Sequence, residues 1–352
     1  MDDYGIDSHK LNFHPRRVAE WLEADTWDKA KKVYPLYWEI TTQGACNHRC
    51  TFCSVDAIGY KPQEMHETLL AIRMREAQRL GVKSVMFAGT GEPLLHKGIS
   101  GVVHDAVDAG LDAAITTNGV LLDKLMTLDE CTWVKVSLNA GSKSTYAKVH
   151  RTREKDWDTV WSALRLGAKR KGDCTLGVQA VVLPENVHEM RGLAALCADA
   201  GLDYLVLKPF SQGTFMLGKE YIGLSYGNWE SELESVREFD TDTFKVIYRK
   251  ESMRQESEPH RFKKCNATPF MWVYSMADGR VFTCSAHLLD DRFCIGNLNE
   301  NSFQEIWEGE KRRENWELMK SFDIRQCRLN CRMAKANVYL EQFSTAQHIN
   351  FI

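Results

Sequence analysis

From Pro35 to Phe210 the sequence alternates short apolar runs with stretches of helical periodicity, and this alternation constrains the fold more than any other feature. Six runs read as strands: Leu36 to Thr42, Val82 to Ala88, Asp112 to Thr117, Trp133 to Leu138, Leu176 to Leu183 and Tyr204 to Lys208. Strands joined through helices pair in parallel, because the crossover returns the chain to the same end of the sheet. Between the first two strands, Pro62 is expected to open a helix, Met65, Leu69, Ile72 and Leu80 to mark its buried face, and Gly81 to end it. Gly110 and Gly201 are expected to close two later helices. Six units are too few to close an eight-stranded barrel, so the expected fold is α/β, an open partial (β/α)6 TIM-like barrel over residues 35–210. In that layout the loops at the C-terminal strand ends carry the chemistry.

The first of those loops, Gly44 to Cys53, reads GACNHRCTFC. Cys46, Cys50 and Cys53 have three and then two residues between them, so three thiolates on one loop can converge on a single iron-sulfur cluster. Three ligands leave one iron open. A zinc knuckle or a set of unrelated thiols is the alternative; knuckles close with a fourth Cys or His, and His48 stands awkwardly between two of the cysteines. The loop, with Phe52 just before its last thiolate, resembles the motif of the radical S-adenosylmethionine (SAM) enzymes. That resemblance implies a 4Fe-4S cluster on Cys46, Cys50 and Cys53 whose open iron chelates the amino and carboxylate groups of SAM. It further implies an electron from a flavodoxin- or ferredoxin-type donor and cleavage of SAM to a 5'-deoxyadenosyl radical that abstracts hydrogen from a substrate.

Later strand ends extend the resemblance. Gly89-Thr90-Gly91-Glu92-Pro93 follows the second strand and is similar to the superfamily's GGEP motif, with Thr90 in place of a glycine. Its glycines would let the backbone approach a ligand, and Glu92 would receive the SAM amino group; a tight turn is the plain alternative. Thr116, Thr117, Asn118 and Gly119 follow the third strand, and Ser137, Leu138 and Asn139 the fourth, at positions where relatives bind SAM. Asn118, Ser137 and Asn139 suit ribose hydroxyls or a carboxylate, or else serve as helix caps and turns. His150, Arg151 and Arg153 form a basic cluster in the next loop; Arg151 and Arg153 would hold the SAM carboxylate or an anionic substrate, or simply face solvent. Gln179 is the lone polar residue of the fifth strand, on the face shared with Val181, and is expected to point its amide into the barrel. Lys208, at the mouth of the sixth strand, is costly to bury unpaired, which makes it and Gln212 expected substrate or SAM contacts.

Beyond residues 211–264, a polar connecting segment with a helix from Trp229 to Phe239 and a strand from Phe244 to Arg249, the cysteines return. Cys265 precedes a hairpin turned at Asp278-Gly279, Cys284 lies at its far end, a capping box at Ser302 to Glu305 opens a helix, and Cys327 and Cys331 follow. The order, with Ile295-Gly296-Asn297-Leu298 before Ile306-Trp307, resembles the SPASM and twitch modules, and makes residues 265–352 a small iron-sulfur domain. Cys265, Cys284, Cys327 and Cys331 would hold one auxiliary 4Fe-4S cluster; zinc suits the same four thiolates. Cys294 is then left over, as core, spare ligand or a thiol that donates hydrogen to a substrate radical, whereas Cys131, Cys174 and Cys197 sit in strand and helix patterns as packing.

A net charge of -3 argues against a nucleic-acid surface, and no apolar run of membrane-spanning length or signal peptide is present, so the expected location is the cytoplasm. Eleven cysteines in such a chain indicate metal binding rather than disulfides. Residues 1–34, with Val18, Trp21, Leu22 and Trp27 on one helical face from Arg17 to Val33, are expected to cap a barrel end. They are fewer than the leader-binding domain of about 80 to 100 residues that many peptide-modifying relatives carry. The expected function is therefore radical SAM chemistry on a small polar metabolite, such as a sugar, aminocyclitol, nucleoside or nucleotide-sugar, leading to oxidation, epimerisation or a related change. A peptide maturase or epimerase is the runner-up, and a zinc-bearing interaction protein without enzymatic activity is the reading from another class.

Overall fold

The computed structural model describes residues 4–255 and 259–351. The chain opens with two helices, α1 (Pro15–Leu22) and α2 (Trp27–Ala30), before strand β1 (Tyr37–Ile40). Then follow α3 (Glu67–Arg79), β2 (Ser84–Phe87), α4 (Ile99–Asp108), β3 (Asp112–Thr117), β4 (Trp133–Ser137), α5 (Lys143–His150), α6 (Glu154–Arg170) and β5 (Thr175–Val182). The barrel continues through α7 (Met190–Asp199), β6 (Tyr204–Pro209), α8 (Glu230–Ser235), β7 (Lys245–Tyr248) and α9 (Lys250–Arg254). The C-terminal part holds β8 (Trp272–Ser275), β9 (Arg280–Phe282), β10 (Cys294–Asn297), α10 (Phe303–Glu308), α11 (Glu310–Ser321) and α12 (Ala334–Thr345).

All six expected strands form, within two residues of their expected ends, and pair in parallel in chain order. The sheet does not stop there. Its order is β10-β9-β8-β1-β2-β3-β4-β5-β6-β7, with β7 added in parallel beyond β6 and β8 in parallel beside β1. The strand expected in a connecting segment and the first strand of the expected separate hairpin thus extend the barrel sheet at both edges. The physical reason is the edge itself: exposed N–H and C=O groups on β1 and β6 are satisfied by adding strands. Gly279, at a φ of 88°, makes the β8–β9 turn, and β10 pairs antiparallel with β9.

One face of each strand packs against the helices. Trp38, Ile40, Val85, Phe87, Ile115, Val134, Leu176 and Leu205 are buried there against Leu70 and Met74 of α3, Val102 and Val103 of α4 and Leu164 of α6. The face of α3 differs from the expectation: Leu70, Ala71, Met74 and Ala77 are buried, while Ile72 is exposed. Pro62 does not open this helix, because residues 61–66 lie outside any helix, with Gln43 bridged to Glu64 and Met65 N–H donating to the Thr42 carbonyl. His66 caps the helix instead.

The N-terminal segment is not one helix over a barrel end. It breaks between α1 and α2, and Val18, Ala30 and Val33 pack with Phe270, Met271, Trp316 and Leu340 of the C-terminal part. Arg312 fastens this seam. Fully buried, it donates to the carbonyls of Ala30, Pro269 and Trp307 and lies 3.9 Å from the centre of the Trp307 ring. A charge so enclosed is tolerable because several carbonyls and an aromatic face replace its water. No helix among the described residues is long and apolar enough to cross a membrane.

Candidate functional site

The loop after β1 lies at the C-terminal end of the parallel strands, over a cavity of about 320 Å³. Cys46, Cys50 and Cys53 all line it, with Phe52, Gly89, Gly91, Glu92, Asn118, Ser137, Asn139, Gln179 and Lys208. The structure therefore gathers most of the residues singled out in the sequence at one mouth.

The approach of the second strand-end loop to the cysteine loop explains its glycines. A side chain at Gly91 would place a Cβ 2.1 Å from the Gln43 carbonyl oxygen, and one at Gly89, where φ is 112°, 2.0 Å from Thr41 Oγ1. Glu92 N–H donates to the Ala45 carbonyl, fixing the two loops together. Thr90 is buried outside the cavity wall, its N–H on Thr41 Oγ1. The Glu92 carboxylate accepts from Thr117 Oγ1 at 2.6 Å, Asn118 N–H at 2.8 Å and Leu94 N–H at 3.0 Å. Burial raises its pKa, and those donors pull the other way. Asn118 reaches the cysteine loop through Asn47, and Asn139 ties β4 to β5 by accepting from Val181 N–H. Ser137 and Gln179 carry no side-chain hydrogen bond among the described residues, which leaves their polar groups to the cavity.

His150 contributes in a way the sequence did not signal. It is the last residue of α5, fully buried, with Nδ1 3.4 Å from Cys50 Sγ. The Asn139 backbone N–H, which can only donate, lies 3.2 Å from Nε2. Burial, and then the nearby His48, keep the imidazole neutral, so Nε2 accepts and the proton on Nδ1 faces the Cys50 sulfur. Arg151 follows at a φ of 48° and turns outward to pair with Glu220 at 2.9 Å, and exposed Arg153 pairs with Asp156 at 3.0 Å. Neither lines the cavity, so the expected anion-holding role of this basic cluster is corrected. The left-handed residue ending α5 sends one side chain in and the next out. Gln212 is also elsewhere, its amide on the Gly218 carbonyl.

Cys265, Cys284, Cys327 and Cys331 converge on a second, apolar pocket with Phe262, Phe293, Phe322 and Ile324. Asn337 Nδ2 donates to Cys265 Sγ at 3.4 Å and Met333 N–H to Cys331 Sγ at 3.4 Å. Cys294 does not join them. It sits half-buried on β10, lining a separate open cleft with Arg280, Asp291 and α11, and it does not line the barrel cavity. The expected hydrogen-donor role is thereby corrected: the β9–β10 pairing turns this thiol to the outer cleft.

Both thiol sets fit iron-sulfur clusters better than single ions. Burial pushes the Cys46 thiol up to about 11 and Cys327 up to about 12, and raises Cys50 and Cys284 well above the usual thiol range, so these thiols need a cationic centre to be ionised. A tetrahedral zinc would hold its sulfurs about 3.8 Å apart. Among the described residues, His48, Cys50 and His150 are the trio of possible ligand atoms that lies within 4.8 Å; no trio of the four C-terminal thiols does, nor do the three of the first loop. The wider spacing suits a cluster of several irons.

An open parallel barrel with one thiol trio at its mouth and a thiol quartet in an appended pocket defines an iron-sulfur enzyme scaffold. Residues 40–197 match the radical SAM superfamily and residues 265–332 an iron-sulfur cluster-binding domain, SPASM. The chain belongs to the radical SAM superfamily, with a C-terminal SPASM module, and so takes a SAM-binding 4Fe-4S cluster, an auxiliary cluster and SAM. It is 28% identical over 200 residues to a GTP 3',8-cyclase of Microcystis aeruginosa, covering 53% of this chain and 60% of that protein. It is 31% identical over 170 residues to a probable GTP 3',8-cyclase of Methanothermobacter marburgensis, covering 46% and 53%. The chain thus spans less than two thirds of these relatives. Its fold is similar to that of Streptococcus suis SuiB bound to precursor peptide SuiA, with a TM-score of 0.67, 15% identity, and 96% of this chain and 78% of that one covered. It is similar also to anSMEcpe with bound AdoMet, with a TM-score of 0.59, 16% identity, and 90% and 98% covered. At these identities the likeness is one of fold.

Proposed function

We propose that this chain abstracts hydrogen from a small polar metabolite, a sugar, aminocyclitol, nucleoside or nucleotide-sugar, and thereby oxidises, epimerises or otherwise rearranges it with the help of one auxiliary cluster. One observation carries the reading. A single cavity is bounded by Cys46, Cys50 and Cys53 and also by Arg328, Asn330 and Arg332, from the segment that bears Cys327 and Cys331. A substrate between these walls adjoins the first thiol set and the segment that bears two thiols of the second.

In this reading Cys46, Cys50 and Cys53 hold the SAM cluster and Cys265, Cys284, Cys327 and Cys331 the auxiliary one. Bound there, cluster and SAM supply a 5'-deoxyadenosyl radical. Glu92 has acceptor capacity beyond its three donors for the SAM ammonium. The Gly89 and Gly91 backbone, Asn118 and Asn139 shape the wall, Ser137 and Gln179 offer hydrogen bonds to ribose or adenine, and Phe52 lines the same cavity. Lys208 is assigned to the substrate. A flavodoxin- or ferredoxin-type protein is the proposed electron donor.

The test is anaerobic reconstitution followed by reduction in the presence of SAM. The expected result is about eight irons and eight sulfides per chain, as two four-iron clusters require, with 5'-deoxyadenosine formed. Zinc without sulfide, or loaded clusters without SAM cleavage, would overturn the proposal. An anaerobic metabolite screen read by mass spectrometry then identifies the substrate; product formed from a peptide and from no small metabolite would replace it with the maturase reading.

A further inference from the structure

The wall of the cavity between β6 and the C-terminal tail is lined by cations. Lys208 lies near the end of β6, Arg249 directly follows β7, and Arg328 and Arg332 come from the tail. Beneath them Lys135 faces the same side of β4 as Ser137, two residues on. Two of the five are accounted for: Arg332 is paired with buried Glu39, and Arg249 donates to Asp7 at 3.2 Å. Lys208, Arg328 and Lys135 have no carboxylate at ion-pair distance among the described residues, and the half-buried Arg328 has its Nε buried without a partner.

Like charges gathered in an enclosed space repel one another and lose hydration, so the arrangement is favourable only with an anion among them. Burial first, then Arg249, Lys135, Arg332 and Arg328, holds the Lys208 ammonium well below its usual pKa, and Lys135 is pushed down to about 8 by burial, then Arg332 and Arg249. SAM offers one carboxylate and brings its own cationic ammonium and sulfonium, which leaves this excess uncompensated. A phosphate has the charge and the oxygens to take a lysine point charge and an arginine fork together.

We infer that the substrate carries a phosphate group, held by Lys208 and Arg328 at the wall where barrel and C-terminal tail meet. This deepens the proposed function and rests on SAM occupying the thiol side of the same cavity. Arg249 and Arg332, anchored by their carboxylates, set the field, and Lys135 adds charge from below. Since Arg328 directly follows Cys327, binding would also hold the auxiliary-cluster segment against the barrel.

The test is calorimetric titration of the anaerobically reconstituted protein, saturated with SAM, with inorganic pyrophosphate and, in parallel, with malonate. The expected result is saturable pyrophosphate binding, at least about tenfold tighter than malonate, and weakened about tenfold or more in Lys208→Met and in Arg328→Gln, as loss of a charged hydrogen bond implies. Arg328→Lys should recover part of the loss. Iron content and thermal melts establish that each variant is folded; removing one of several like charges should not unfold the barrel, and either variant alone decides the point. No saturable pyrophosphate binding, equal binding of malonate, or affinity unchanged in the folded variants would overturn the inference. SAM cleavage by the wild-type protein without pyrophosphate binding strikes this subsite alone, whereas loaded clusters without SAM cleavage strike the function on which it rests.

Discussion

The two thiol sites are built on opposite plans. The first draws its three thiols from eight consecutive residues of one loop, and they face a cavity of about 320 Å³. The second draws four from three separated segments and closes aromatic and aliphatic side chains around them. Their outer partners are nonetheless of the same kinds: side-chain donors, with His150 toward Cys50 at 3.4 Å and Tyr60 toward Cys53 in the first set and Asn337 toward Cys265 at 3.4 Å in the second, and backbone donors such as those on Cys46 and Cys331. Tuning by hydrogen bonds is common to both, and access separates them. A site that must bind a cofactor keeps ligands local and one side open, whereas a site that only holds a cluster can be assembled and sealed by tertiary structure.

The sharpest way to break this comparison is to remove a ligand from each side. Cys50→Ala should abolish 5'-deoxyadenosine formation and leave about half of the iron, because the other ligand set is on a different module. Cys327→Ala should also leave about half of the iron, yet retain SAM cleavage while losing product turnover. Iron and sulfide assays with chromatographic detection of 5'-deoxyadenosine distinguish the two patterns. SAM cleavage surviving Cys50→Ala, or full iron and product yield surviving Cys327→Ala, would show that the ligand sets are misassigned.

A smaller effect tests the tertiary character of the second site. Fully buried Asn337 accepts from the backbone N–H groups of Asn266 and Ala267 while donating to Cys265, so it fixes α12 against the segment carrying that ligand. Asn337→Ala removes three hydrogen bonds and should cost about 3 kcal/mol of stability. The expected observation is a lowered melting temperature with preferential loss of auxiliary iron, while the local first loop still assembles its cluster. Equal loss of iron from both sites would mean that their assembly is coupled.

What could be read from the sequence follows the same division. The six strands, the thiol trio, the glycine loop at 89–91 and the C-terminal thiol quartet were legible because spacing and periodicity are local signals. The addition of β7 and β8 to the sheet was not, since edge pairing is decided between segments far apart in sequence. Nor was the exchange of roles at His150 and Arg151, which turns on one left-handed residue ending α5. Arg249, Arg328 and Arg332 were missed as cavity residues; the run Cys327-Arg328-Leu329-Asn330-Cys331-Arg332, with an arginine after each cysteine, held a usable signal for two of them.

His150→Phe is a finer probe of the shared tuning. It keeps an aromatic ring beside Tyr146, whose ring centre is 4.4 Å away, and deletes the donor to Cys50. A hydrogen bond to a thiolate favours the reduced, more negative cluster, so its loss should lower the potential of the first cluster. A bond worth about 1 kcal/mol corresponds to about 40 mV for one electron. Potentiometric titration followed by electron paramagnetic resonance should show a shift of that order for the first cluster and none for the auxiliary one. A potential unchanged within error in a fully loaded variant would remove His150 from the tuning set.

The smallest expected effect is at Cys294, the thiol that belongs to neither site. Its sulfur lies 3.9 Å from the Gly296 carbonyl oxygen on β10, and its side chain lines the outer cleft and not the barrel cavity. Burial raises its pKa, as for an ordinary packed thiol. Cys294→Ala should therefore cost only about 1 kcal/mol of stability, the packing of one half-buried sulfur, and leave both clusters and the turnover rate intact. Reactions run in deuterated water give the decisive measurement: the extent of deuterium incorporation into product should be the same in wild type and variant. If the wild-type product carries solvent deuterium and the variant loses its normal product, a motion bringing β10 toward the barrel mouth would have to be added to the fold, and the contrast between an open site and a sealed one would give way to a third, mobile element.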